Sequence, residues 1–294
     1  MTSDNLPKED DELARAESPN GTQAKSQPIN DTSFHRFLTL SAIRVFRRFC
    51  SRVGSVVFLP SNICIKYGPD RNFLSEGATL QFIANHTSIP VPKVLCSFEH
   101  KGWSYLVMER LDGDMLAKGW SQRSPASKIE ILSQLRNMIQ ELRSVPAAYP
   151  NGKTVANIDG DRLWDCRFPS TEYFGPFISI GEFHRYLRNG IEAHPENLPD
   201  VAQMITSQDQ SWGPPVFTHG DFSSLNVLVK GNKVIGIVDW EISGWYPKYW
   251  EYTTARQVNP RNFFWADETD KFLDPFPGAW EMEQARLRYF GDVN

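Results

Sequence analysis

THGDFSSLNVLVKGNKVIGIVDWE, residues 218–241, sets His219, Asp221, Asn226 and Asp239 around two apolar runs. Val227–Val229 and Val234–Val238 have strand composition, and Gly231-Asn232 between them is a tight-turn signal. A hairpin brings its ends together. Asn226, at the start of the first strand, is therefore expected beside Asp239, at the end of the second. An amide carbonyl and a carboxylate are hard oxygen ligands that suit Mg²⁺, which takes further ligands from water and phosphate. Asp221 stands five residues before Asn226 on a loop, placed to face the same ion site and to accept a proton.

The rest of the chain supports a globular fold around this stretch. Its 294 residues are 40% hydrophobic and 13% aromatic, with nine tryptophans and nineteen phenylalanines. That is enough for one large domain or two modest ones sharing a cleft. Net charge is −4, and the negative sign argues against nucleic acid as a partner. All of that excess sits in residues 1–33, which hold seven acids and three bases and almost no large apolar residue. Such a stretch cannot bury enough surface to offset its ordering entropy, so 1–33 is expected to be a disordered acidic tail. It has neither the apolar core of a signal peptide nor the basic character of a transit peptide. No apolar run is long enough to span a membrane. Cys50, Cys64, Cys96 and Cys166 lack zinc-ligand spacing, which fits reduced thiols and a cytoplasmic setting.

Along the chain, FHRFLTLSAIRVFRRF (34–49) is a basic amphipathic helix. It suits packing on the following domain or, alternatively, a membrane surface. SVVFL and ICIKY (55–59 and 63–67) read as a hairpin, FLSEGATLQFIANH (73–86) as a helix, and KVLCSFEH with WSYLVMER (93–110) as a second hairpin turning at Lys101-Gly102. Beyond Leu111 helices dominate. Ser124 caps a helix with Pro125 at its first position, and Ile129, Leu132, Leu135, Ile139 and Leu142 recur at helical period. Residues 181–191 and 277–290 read as further helices, and 146–160 as surface loop. The expected organisation is α+β: the tail, a β-rich part at 34–110, and a helical part at 111–294.

His219-x-Asp221 with Asn226 five residues later, followed by Asp239-Trp240-Glu241, resembles the catalytic loop and metal-binding triplet of kinases. HGD and DWE in those places are similar to the aminoglycoside phosphotransferase and choline kinase family, over roughly residues 50–290. The resemblance implies a bilobal protein-kinase-like fold, with a small β-rich N-lobe and a larger helical C-lobe. It implies ATP and Mg²⁺ as cofactors and a small molecule as phosphoryl acceptor, with no nucleic acid, membrane span or obligate protein partner. By the same resemblance Asp221 is the catalytic base, Asn226 and Asp239 hold Mg²⁺, and His219 braces the loop. Lys66 in ICIKYG grips phosphates and Glu76 on the next helix pairs with it. Glu109 to Leu111 in SYLVMERLDG offer backbone groups to adenine.

The sequence also departs from the kinase pattern. No G-x-G-x-x-G precedes Lys66; Val53-Gly54-Ser55 stands there instead. Ser223 occupies a position often basic in the family, so a cation is expected from elsewhere. Only eleven residues separate Asp239 from Glu251, too few for an activation segment, and no A-P-E triplet follows. A protein substrate is therefore excluded. Glu251 falls where the family has an acid bracing the catalytic loop, although its aromatic surroundings equally suit plain packing. Asp267, Glu268, Asp270 and Asp274, among Phe263, Phe264 and Trp265, suit a cationic acceptor or a solvated acidic helix end. Two other classes fit parts of the pattern: a kinase-like nucleotide-binding protein without catalysis, and a metal-dependent hydrolase, which leaves Lys66 and Glu76 unused.

Overall fold

The computed structural model describes residues 26–46, 52–69, 73–146, 152, 154–165, 167–168, 173–257 and 262–291. Cys50, Cys166 and residues 1–25 of the expected tail lie outside them. The N-terminal part opens with α1 (Ser33–Phe46), then β1 (Arg52–Val53), β2 (Val56–Leu59) and β3 (Ile63–Pro69). After α2 (Phe73–His86) come β4 (Val94–His100) and β5 (Trp103–Glu109). The five strands form one antiparallel sheet in the order β1-β2-β3-β5-β4. Its two hairpins are those expected. Lys101 and Gly102 both take positive φ, the twist that suits a two-residue turn between right-twisted strands.

Strand alternation divides the sheet's side chains between two layers. Cys64, Leu106 and Met108 pack with Phe73, Leu80 and Ile83 of α2, whereas Ile65, Tyr105 and Val107 pack with Ile43 of α1. Lys66 follows the first pattern and so points to the α2 side. The expected docking of α1 holds for one of its sides only: Thr39 and Ile43 are buried, while Phe34, Phe37, Leu38 and Val45 remain exposed.

Past Arg110 the chain forms β6 (Asp114–Met115), α3 (Pro125–Arg143), α4 (Ile180–Leu187) and α5 (Pro199–Gln208). There follow β7 (Val216–Thr218), β8 (Val227–Lys230), β9 (Lys233–Ile237), β10 (Gly244–Tyr246), α6 (Trp250–Arg256), α7 (Phe264–Phe272) and α8 (Pro277–Phe290). Ser124 caps α3 by accepting a hydrogen bond from the Ser127 N–H. The helix buries Ile131, Leu132, Leu135, Ile139 and Leu142, each contributing about 2 kcal/mol of transfer free energy. Ile129, counted with this face in the sequence, is 68% exposed; Ile131 takes its place.

Two expectations need correction. Residues 26–33, counted with the acidic tail, are folded. Ile29 exchanges backbone hydrogen bonds with Ser97 at 2.9 and 3.0 Å, and Ser26 is buried against Asp159. The open edge of β4 offers unpaired N–H and C=O groups, and one apolar residue suffices to settle on it. The supposed surface loop at 146–160 is likewise internal in part. Val155 bridges Phe177, Ala156 bridges Trp245, and both are fully buried. Among the described residues no helix is long and apolar enough to cross a membrane.

Candidate active site

The hairpin β8–β9 does what its sequence requires. Val227 pairs with Ile237, and the Val238 N–H donates to the Asn226 carbonyl at 2.9 Å, so Asn226 and Asp239 share one end of the hairpin. The Asn226 Nδ2 donates to Asp221 at both the backbone oxygen and Oδ2, each at 2.9 Å. With the amide nitrogen so engaged, Oδ1 is the Asn226 atom left for a cation. Asp239 takes φ +66° and is half-exposed at the mouth of the cleft, a strained conformation of the sort that clusters at functional sites.

From the other part of the molecule, β3 delivers Lys66 and α2 delivers Glu76, both buried. The Lys66 Nζ lies 2.7 Å from Glu76 Oε2, 2.6 Å from Asp239 Oδ1 and 3.6 Å from Glu241 Oε2. Burial alone would lower the Lys66 ammonium; Glu76 first, then Asp239 and Glu241, outweigh it and hold it well above the ordinary lysine value. Three carboxylates around one ammonium leave a formal excess of negative charge. Glu76, Asp239 and Glu241 each present an oxygen within 4.8 Å of the others. Hard oxygens converging in this way fit a small divalent cation.

The loop bearing Asp221 is fixed from several sides. Glu251 is fully buried, and its carboxylate accepts from the backbone N–H of His219 at 2.6 Å and of Gly220 at 3.1 Å. Burial raises its carboxyl, against the pull of these neighbours and of Arg143. His219 Nδ1 accepts from the Asp221 N–H, so Nε2 carries the proton it donates to the Val238 carbonyl at 3.0 Å. Gly220 adopts φ +85°, and a Cβ there would stand 3.0 Å from the Ile242 carbonyl oxygen. No larger residue fits without displacing the loop.

Between the two parts lies a cleft of about 730 Å³, within the size range of small-molecule sites. Lys66, Glu76, Glu109, Leu111, Asn226 and Asp239 all line it, along with Val56, Phe58 and Met108. Asp221, the remaining sequence candidate, adjoins it through its bond to Asn226. The strip at Glu109–Leu111 offers less than expected. The Glu109 N–H already donates to Lys93 and the Arg110 N–H to Asn62, so the Leu111 N–H is the donor left to a ligand.

Several neighbours of this site carried no legible signal. Arg167 donates to the Gly220 carbonyl at 2.9 Å and grips buried Asp165 with two nitrogens. It brings a cation beside the loop in which Ser223 carries none. Buried Asn262 accepts from the Ser224 hydroxyl and donates to Ser223 Oγ at 3.1 Å, so the Ser223 hydroxyl is tied into the loop. Three of the four acids singled out near the C-terminus are matched by bases. Asp270 pairs with Arg256, Asp274 with Arg136, and Glu268 with Lys271.

The sequence model of the phosphotransferase enzyme family matches residues 65–290. An aminoglycoside 3'-phosphotransferase of Enterococcus faecalis is 28% identical over 169 residues, which make up 55% of this chain and 57% of that protein. The chain thus spans little more than half the length of that curated relative. The crystal structure of aminoglycoside phosphotransferase APH(4)-Ia matches with a TM-score of 0.58 at 14% identity, over 85% of this chain and 88% of the other. A thermostable mutant of that enzyme, in a ternary complex with AMP-PNP and hygromycin B, matches with a TM-score of 0.53 at 14% identity, over 87% and 88%. The likeness to both is one of fold, and that fold is the bilobal, protein-kinase-like one expected.

Proposed function

The chain belongs to the phosphotransferase enzyme family, and we propose that it uses ATP and Mg²⁺ to move the γ-phosphoryl group onto a hydroxyl of a small molecule. The observation that carries this reading is the convergence of Lys66, Glu76, Asn226 and Asp239 on one cleft, with Asp221 bonded to Asn226 at its edge.

In this reading the apolar walls from Val56, Phe58 and Met108 take the adenine, and the Leu111 N–H donates to it. Lys66, held charged by Glu76, donates to the α- and β-phosphates. Asp239 and the Asn226 Oδ1 would hold a magnesium ion, which would supply positive charge against the phosphate oxygens. The acceptor oxygen bonds to the γ-phosphorus, the bond from that phosphorus to the bridging oxygen of ADP breaks, and Asp221 takes the hydroxyl proton. Little covalent chemistry is asked of the protein, so positioning and charge neutralisation carry the rate. The acceptor is an amino sugar, an amino alcohol or a secondary metabolite. Support comes from the relatives' acceptors and from the short connection between Asp239 and Glu251, which leaves no platform for a peptide.

A screen of amino sugars and amino alcohols by ADP release tests this directly. With a productive acceptor, Asp221→Ala is expected to lower turnover by about 10²–10⁴-fold while ATP still binds. Undiminished turnover in that variant removes Asp221 from its role. A protein that only binds nucleotide gives no ADP with any acceptor and no slow Mg²⁺-dependent hydrolysis of ATP.

A further inference from the structure

Among the described residues, the outward side of α1 has no partner. At 100° per residue, Phe34, Phe37, Leu38, Ser41 and Val45 share one side of the helix, and Thr39, Leu40 and Ile43 share the opposite one. The second side packs on Val57, Ile65, Phe98 and Val107 of the sheet. The first is turned to solvent: Phe34 is 65% exposed, Phe37 68%, Leu38 46% and Val45 56%. Four large apolar side chains in one stripe are more than scattered surface residues, and such patches mark interaction surfaces.

Charge identifies the occupant. From Thr32 to Val53 the sequence carries Arg36, Arg44, Arg47, Arg48 and Arg52 and no acid. Arg36 is paired with Asp31; Arg44 is exposed beside the stripe. Two copies of this chain meeting stripe to stripe would bring like charges together. The segment before Ser26 is acidic but has only Met1, Leu6 and Leu13 as large apolar residues, too few to cover four side chains. Aromatic and aliphatic residues flanked by Arg44, in a stretch whose sequence is basic and free of acids, are the chemistry of a helix lying in the headgroup region of an anionic bilayer. We propose that α1 docks the protein on anionic lipid membranes through Phe34, Phe37, Leu38 and Val45, with Arg44 beside them meeting the lipid headgroups. The helix covers the sheet face opposite to the one carrying Lys66, so a docked protein keeps its cleft open to solution.

Co-sedimentation of the full chain with vesicles tests the proposal. Phosphatidylcholine vesicles containing roughly one third phosphatidylserine are expected to bind it about tenfold better than pure phosphatidylcholine. Raising salt to about 0.5 M is expected to reverse most of that gain. The triple substitution Phe34→Ser, Phe37→Ser, Leu38→Ser removes no core contact and is expected to abolish binding, with an unchanged thermal midpoint as the control for folding. Arg44→Glu tests the charge arm separately and is expected to weaken binding severalfold. Absence of binding to anionic vesicles overturns the proposal, as does equal binding by the triple variant. So does a dimer in solution that the triple variant converts to monomer, since the stripe would then be covered by a second copy.

Discussion

Lys66 and Asp239, 173 residues apart in the chain, meet with 2.6 Å between Nζ and Oδ1. Their contact joins the five-stranded sheet to the β8–β9 hairpin, and Glu76 closes it from α2. Replacing Lys66 by methionine leaves Glu76 buried without its counter-charge and removes the expected phosphate contact. The expected result is at least a hundredfold loss of turnover and a stability cost of about 3 kcal/mol, read from urea unfolding. Lys66→Arg is expected to rescue stability better than activity, because the guanidinium fork does not fit the space of an ammonium.

Gly220→Ala tests the geometry of the loop. The added methyl meets the Ile242 carbonyl oxygen at 3.0 Å in a backbone conformation that side chains disfavour. A loss of about 1–3 kcal/mol is expected, together with a turnover loss exceeding tenfold, as Asp221 is moved. Wild-type kinetics in this variant would show that the loop tolerates displacement.

Glu251→Ala leaves the His219 and Gly220 N–H groups buried without their acceptor. Each orphaned donor costs about 1–3 kcal/mol, so a clear fall in the thermal midpoint is expected. Glu251→Gln keeps one acceptor oxygen and is expected to lose roughly half as much.

His184 supplies a pH signature remote from the cleft. It is fully buried between the Gln208 carbonyl and the Tyr249 hydroxyl, and burial first, with Arg188 adding to it, pushes the imidazole down to about 4. The unfolded chain therefore takes a proton near pH 6.5 that the folded chain refuses until near pH 4. Stability from this residue is present above pH 6.5 and is lost as pH falls toward 4, by about 3 kcal/mol in all. His184→Gln is expected to be less stable at pH 7 and to show a shallower decline over that interval. An identical slope in urea unfolding across pH 7 to 4 would assign the acid sensitivity to other groups.

The parts of the fold legible in the sequence are those in which local chemistry decides. Both hairpins of the N-terminal sheet, α2 and the capped start of α3 carry turn residues, periodicity or caps inside their own spans. Most site candidates were legible for a related reason: the strands of β8–β9 fix Asn226 beside Asp239 by register alone. What stayed hidden depends on partners distant in sequence. Arg167 is an unremarkable arginine until folding lays it against Gly220, and Asn262 gains its role only where the chain returns past Ser223 and Ser224. The same holds for Asp270 of α7 and for Asp274 just beyond it, which are paired with Arg256 of α6 and Arg136 of α3. Composition misjudged residues 26–33 because it averages Ile29 into a polar neighbourhood, while an open sheet edge responds to that residue alone.

The strand that follows Asp239 is zipped directly onto the strand that leads into the loop bearing Asp221, Gly244 against Thr218 and Tyr246 against Val216. In a phosphotransferase built this way, the stretch a signalling enzyme uses as its throttle is locked into the frame of the site.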